Sequence, residues 1–280
     1  MSVRIDGRTE LIALIGHPTH TVKSPMIYNP YFEAAGINAL VMPMGCRPGH
    51  FAALMRSLFA LENTRGALIT MPHKVATLAL LDEASVAVKV AGSCNAVKRT
   101  GDGRLVGDLF DGEGFVRGVR RKGLALAGAS ALVVGSGGVG CAIAASLAGA
   151  GVATLALFDA NEASAQGLAE RLRRHHPALQ VQVGNKDPQG VDLVVNATPL
   201  GMNAGDPLPL DVDRLSPYTL VGEVVMKAEM TPLLQAARAR GCAVQIGTDM
   251  LFEQIPAYLE FFGLPTTTAD ALRSGARLSY

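Results

Sequence analysis

Cysteine is scarce in this 280-residue sequence, and each one is isolated. Cys46, Cys94, Cys141 and Cys242 stand far apart with no CxxC spacing. That excludes a disulfide framework or a zinc site and points to free thiols in a reducing compartment, the cytoplasm. Neither sign of charge is in surplus: the formal net charge is +1, so no electrostatic footprint marks nucleic acid or an anionic membrane as a partner. The opening stretch, MSVRIDGRTELIALIG, has no long apolar core and argues against a secretion signal. Repeats, low-complexity tracts and disordered linkers are lacking. From Ala129 to Phe158 charge is almost missing as well. The stretch exceeds the ~20 residues of a membrane span, but glycines from Gly135 to Gly151, with Ser136 and Ser146, interrupt it. Its order of strand, glycine turn, helix and strand fits a buried βαβ unit.

What the chain does have is apolar content, 49%, enough for a large core in one or two domains. Leu11–Gly16, Leu40–Met44 and Ala67–Met71 are short apolar runs that read as strands, ending near Pro18 and Pro72 in the first and third cases. Between and after them, Met26–Ala35, Phe51–Ala60 and Val75–Leu81 read as helices. The alternation predicts a mostly parallel sheet with helices on both faces. A second α/β series begins near Gly112. Gly114–Lys122, Val139–Ala148, Ala163–Arg174 and Thr231–Arg240 read as helices, and Ala131–Gly135, Ala153–Phe158, Val191–Asn196, Leu220–Val225 and Ala243–Ile246 as strands. Met250–Phe262 is a last helical pattern. The second series has the run of a doubly wound nucleotide-binding domain.

Its first strand leads directly into Gly135-Ser136-Gly137-Gly138-Val139-Gly140, a GxGxxG pattern. The first glycine permits the tight turn, the second lets backbone approach a pyrophosphate, and the third allows close helix–strand packing. Amides at the helix N-terminus would hold the pyrophosphate. Glycine-rich turns alone are common, and a degenerate fold that has lost its ligand would keep one. Here the strand before, the helix after and an acidic residue, Asp159, 19 positions beyond Gly140 strengthen the reading. A carboxylate at 159 accepts both adenosine ribose hydroxyls of NAD and repels a 2′-phosphate. Ala160-Asn161 offers no arginine for that phosphate. NAD is therefore expected over NADP.

Several further segments then fall into one order: His17-Pro18 with Lys23-Ser24-Pro25, Thr70-Met71-Pro72-His73-Lys74, Ala91-Gly92-Ser93-Cys94-Asn95, Gly107-Asp108-Leu109-Phe110-Asp111-Gly112, Asn196-Ala197-Thr198-Pro199-Leu200-Gly201-Met202, and Gly247-x-x-Met250-Leu251-x-x-Gln254. Together they resemble the shikimate/quinate dehydrogenase family, over Leu11 to about Phe262. The resemblance implies a substrate domain over residues 1–112 completed by helices in 248–280, a Rossmann-type domain over 113–247, and a site in the cleft between them. It implies Lys74 and Asp111 as the catalytic pair. It also implies Ser24, Thr70, Asn95 and Gln254 as substrate-binding groups, and places Asn196, Thr198 and Gly247 with the glycine turn and Asp159 in the cofactor site. A small-molecule cyclic hydroxy acid is the expected partner, with the protein a monomer or homodimer.

The chemistry supports the pair from below. Oxidising an alcohol removes its proton as hydride leaves, and a lysine amine takes that proton when burial and neighbours lower its pKa. A nearby carboxylate favours charged lysine instead. So Asp111 either orients the lysine and binds the hydroxyl or shares the proton. Taken singly, Lys74 reads as a solvated lysine after a strand and Asp111 as a turn residue before Gly112; the flanking motifs favour the catalytic reading. Other positions depart from the family pattern. Val22 and Leu68 stand where polar residues are usual, Leu109-Phe110 replaces an Asn-Thr pair, Met226 stands for a tyrosine, and Glu223 replaces an aspartate. They predict a pocket with fewer hydroxyl-binding groups. His17, His20 and His73 lack a carboxylate or cysteine at ligand spacing, so no metal is expected. His73 reads as a pocket wall, and His175-His176 as a solvated helix end. A non-catalytic NAD-binding regulator on the same fold is the main alternative, disfavoured because binding alone has no need of both Lys74 and Asp111. Folate-linked dehydrogenases and glutamyl-tRNA reductases share the architecture. The Ser-Pro opening and the Gly-x-x-Met-Leu-x-x-Gln helix disfavour them.

Overall fold

The computed structural model describes residues 5–20 and 22–277. The first four residues, part of the stretch read above for a leader, lie outside the described residues. Contacts divide the chain into two compact units: residues 1–88, 93–109 and 255–280, and residues 89–92 and 110–254.

Unit 1 is built on β1 (Glu10–Gly16), α1 (Pro25–Ala35), β2 (Ala39–Gly45), α2 (Phe51–Ala60), β3 (Thr64–Ile69), β4 (Glu83–Ala84), the start of α3 (Val86–Ala91), β5 (Ala96–Arg99) and β6 (Leu105–Asp108). The sheet order is β2-β1-β3-β5-β6-β4. β1 pairs parallel with β2 and β3, whereas β5 runs antiparallel to both β3 and β6. Ile12, Ala13, Leu14 and Ile15 of β1 are all buried, the unbroken apolar run that a strand covered on both faces requires. β4 to β6 have two to four residues each, too short for alternation to mark them in the sequence. The helix expected over Val75–Leu81 is a short 3₁₀ turn, Ala76–Leu80.

Unit 2 contains α4 (Asp111–Arg121), β7 (Ser130–Val134), α5 (Gly138–Gly149), β8 (Thr154–Phe158), α6 (Glu162–His175), β9 (Gln180–Val183), β10 (Leu193–Asn196), β11 (Leu220–Glu223), α7 (Pro232–Ala239) and β12 (Ala243–Gln245). Its six strands lie in the order β12-β11-β10-β7-β8-β9, every pair parallel. This is the doubly wound dinucleotide-binding order, with its switch point between β7 and β10. The uncharged stretch from Ala129 to Phe158 forms β7, α5 and β8. Among the described residues, no helix is long and apolar enough to cross a membrane. α8 (Gly247–Phe262) gives its residues through Gln254 to unit 2 and the rest to unit 1, and α9 (Ala269–Gly275) follows in unit 1. Within unit 1 the end of α8 is bound by Arg65, whose Nε donates to the Phe262 carbonyl at 2.6 Å, and by Lys98, whose Nζ donates to the Phe261 carbonyl at 2.8 Å. All four cysteines are buried and free.

Candidate active site

At the C-terminal edge of the unit 1 sheet, three loops are stitched together by backbone hydrogen bonds. The Thr70 amide donates to the Ile15 carbonyl at 2.9 Å, and His17 donates to the Met71 carbonyl at 2.9 Å. The Ile69 amide donates to the Asn95 carbonyl at 2.8 Å, and Cys94 donates to the Lys74 carbonyl at 2.9 Å. Thr70, Lys74 and Asn95, three of the residues singled out in the sequence, are thereby brought to one edge. Ser24 opens α1, and its hydroxyl does not cap that helix. The bonds His17–Pro18 and Met71–Pro72 are both cis.

His73 differs from expectation. It is 1% exposed, so it is not a pocket wall. Its ring stacks on Phe51 with centroids 4.3 Å apart, and its Nε2 lies 2.7 Å from the Cys46 carbonyl oxygen. A carbonyl only accepts, so Nε2 carries the hydrogen. The ring fastens the Lys74 turn to the end of β2. The apolar stretch around Phe51 was legible in the sequence; its pairing with a histidine 22 positions away was not. Burial pushes the Cys94 thiol up to about 12, with Asp108 adding to the shift and Lys74 opposing it. Cys94 is thus a protonated packing group beside Asn95.

In unit 2 the glycine turn has the shape its sequence requires. Gly135 has φ +104°, a left-handed value that costs glycine little and other residues much. A Cβ at Gly140 would fall 1.9 Å from the Gly135 carbonyl oxygen, which is the close helix–strand contact. A Cβ at Gly137 or Gly138 would meet nothing within 4 Å, so this backbone is open to approach. No side chain caps α5, which leaves its first amides to an anion. Ser136 Oγ is buried without a hydrogen-bond partner among the described residues. Asp159 Oδ2 accepts from the Ser136 amide at 2.6 Å and Oδ1 from the Asn161 amide at 2.8 Å. The carboxylate therefore stands against the glycine turn, where an adenosine ribose would be read. These features fit an adenine dinucleotide.

Asn196 is fully buried and acts on its own loop. Its Oδ1 accepts from the Thr198 amide at 3.1 Å and the Thr198 hydroxyl at 2.6 Å, and its Nδ2 donates to the Leu200 carbonyl at 3.0 Å. Gly247 is a glycine for packing: a Cβ there would lie 2.1 Å from the Val225 carbonyl oxygen. Asp111 is the first residue of α4, not part of a preceding turn. Gly112 next to it packs so tightly that a Cβ would meet the Ala142 carbonyl oxygen of α5 at 2.0 Å. Gln254 lies in the same unit with Oε1 buried and unpartnered among the described residues. Of the five apolar departures, Leu68 and Leu109 are core residues and Met226 is exposed. Glu223 is fully buried and bonded to Thr231, surroundings that no linear pattern announces. A threonine before Pro-Leu-Leu is a legible N-cap signal; its second bond to a carboxyl is not.

Residues 14–97 match a family model described as the shikimate dehydrogenase substrate binding domain, and residues 117–185 match one described as the ThiF family. A shikimate dehydrogenase (NADP(+)) from Rubrobacter xylanophilus is 40% identical over 91% of each chain. A shikimate 5-dehydrogenase from Listeria monocytogenes, solved with shikimate and NAD, superposes with a TM-score of 0.91 at 27% identity, covering 98% of each chain. A 5-ketofructose reductase from a Gluconobacter species superposes with a TM-score of 0.89 at 25% identity, covering 96% of this chain and 98% of the other. With the six ordered motifs and the dinucleotide-binding geometry, these likenesses establish that the chain belongs to the shikimate dehydrogenase family.

Proposed function

We propose that the chain interconverts a ring hydroxyl and a ketone on a shikimate- or quinate-like cyclic hydroxy acid, exchanging hydride with a nicotinamide nucleotide. It is an NAD(P)-dependent oxidoreductase. The observation that carries this reading is the hydrogen-bonded edge of unit 1 on which Thr70, Lys74 and Asn95 stand together. Nicotinamide, when bound, accepts or supplies the hydride at the carbinol carbon. Lys74 Nζ takes the hydroxyl proton during oxidation and returns it during reduction. Asp111 orients that lysine on the substrate hydroxyl or shares its proton. Ser24 binds the carboxylate, while Thr70, Asn95 and Gln254 fix the reacting hydroxyl. The amides of Gly135–Gly140 hold the pyrophosphate, and the loop shaped by Asn196 and Thr198, together with Gly247, completes the cofactor site. Asp159 reads the ribose and favours NAD.

The substrate itself is less hydroxylated than shikimate or has a larger apolar part. Shikimate carries one carboxylate and three ring hydroxyls, and each buried polar group needs a partner. Val22, Leu68, Leu109, Phe110 and Met226 have no side-chain hydrogen bonds to offer. A buried hydroxyl without a partner costs roughly 1–3 kcal/mol, so two such losses weaken shikimate by something like 10²-fold. A panel of cyclic hydroxy acids, assayed by nicotinamide absorbance with NAD and NADP, measures this directly. Deoxygenated analogues should have the higher kcat/KM. Shikimate turnover near ~10⁵ M⁻¹s⁻¹, in the usual range for enzymes on their own substrates, would mean that backbone groups replace the missing side chains.

A further inference from the structure

Glu223 ends β11, is fully buried, and has no part in the proton transfer assigned to Lys74 and Asp111. Across the β10–β11 pair it stands opposite Asn196. Its Oε2 accepts from the Thr231 hydroxyl at 2.9 Å. Its Oε1 is buried with no hydrogen-bond partner among the described residues. Thr231 in turn caps α7, accepting from the Leu234 amide at 3.4 Å. Burial pushes the Glu223 carboxyl up to about 7; the Thr231 hydroxyl and the Asn196 amide oppose the shift. From β12, Gln245 stands opposite the adjacent Gly222 and is neutral. Among the described residues no charged side chain contributes to the shift.

We propose that Glu223 is a positioning residue for the loop Asn196–Gly201, and that its protonation state sets how firmly that loop holds the nicotinamide nucleotide. Asn196 organises the loop in one orientation only, with Oδ1 toward Thr198 and Nδ2 toward Leu200. An ionised Glu223 offers Nδ2 a second acceptor and favours that orientation. A protonated Glu223 presents an O–H that competes for Asn196 Oδ1, already shared by two donors. The amide then loses its preference and the loop its internal bonds. The inference rests on the reading that this loop meets the nucleotide.

The test is the NADH dissociation constant of the full chain between pH 6 and pH 8, by fluorescence titration, for the parent, Glu223→Gln and Thr231→Val. Affinity in the parent should rise with pH by up to about tenfold. That limit follows because the binding-competent ionised fraction climbs from about a tenth to about nine tenths. Glu223→Gln should remove the slope, and the ratio of the two proteins cancels other titrating groups. Thr231→Val, which removes a donor to the carboxylate, should move the midpoint to higher pH and remains informative if the glutamine variant folds poorly. Urea unfolding supplies an independent check. A carboxyl raised in the folded state stabilises fully below its unfolded value and loses that contribution as pH rises toward about 7. Parent stability should fall over that window, and that of Glu223→Gln should not. Equal slopes in parent and Glu223→Gln, or affinity falling with pH, would overturn the inference alone. Failure of the parent to bind NADH or NADPH at any pH would overturn it together with the oxidoreductase reading.

Discussion

Replacing Lys74 with alanine should lower turnover by ~10²–10⁴-fold, the usual contribution of a positioned general acid or base, and leave NAD affinity close to that of the parent. The separation follows from where the groups reside. Lys74 belongs to unit 1, on the loop edge with Thr70 and Asn95, whereas the glycine turn and Asp159 belong to unit 2. On the proposed role of Lys74, removing the amine would leave the substrate hydroxyl proton without an acceptor as hydride departs, so the loss should fall on kcat. Asp111→Ala should show a loss of similar size. It is the first residue of α4, immediately before Gly112 with its tight contact to Ala142, so Asp111→Asn is the better control for packing. Steady-state kinetics with the true substrate, alongside NADH titration, separates the two effects. Near-full turnover in Lys74→Ala would remove Lys74 from the proton transfer.

The second large effect concerns the cofactor. A 2′-phosphate about 4 Å from Asp159 would be repelled by up to ~4 kcal/mol at an effective dielectric near 20. Relaxation and solvent should reduce this to an expected preference for NAD of roughly tenfold to a thousandfold. The position of the carboxylate supports the figure, because both its oxygens are held by backbone amides, one of them in the glycine turn itself. A carboxylate so fixed does not swing away from a phosphate. Asp159→Ala should narrow the gap, and should also weaken NAD, since the Ser136 amide loses its acceptor. Relatives differ in this respect: the Rubrobacter protein is named for NADP(+), and the Listeria enzyme was solved with NAD. Equal or better kcat/KM with NADP in the unmodified protein would refute the preference.

The parts of the fold that the sequence revealed are those where backbone geometry dictates residue type. Gly135 and Gly140 were readable because a left-handed turn and a 1.9 Å contact exclude side chains. The parallel strands of unit 2 were readable because burial on both faces gives continuous apolar runs. The start of α4 was not. Asp111-Gly112 has the composition of a turn, and three glycines in eleven residues argue against a helix by propensity. Packing overrides propensity here, since Gly112 lets α4 approach α5 and Gly114 lets it approach α8. Short elements such as β4, β5, β6 and β9 carry too few residues for a period to be seen. In the candidate site, order along the chain identified which residues to examine, while burial decided how they act. His73 turned out to fasten a loop, Asn196 to shape one, and Glu223 to be a buried carboxyl that no linear pattern distinguishes from an exposed one.

The proposed reaction passes hydride directly between the carbinol carbon of a cyclic hydroxy acid and nicotinamide. It is tested most directly by incubating the protein with NAD and a cyclic hydroxy acid deuterated at the carbinol carbon, then examining the nucleotide by mass spectrometry. Reduced nicotinamide carrying one deuterium is expected, formed far more slowly by Lys74→Ala. Reduced nucleotide without deuterium, or no reduced nucleotide with any acid of the panel, would contradict it.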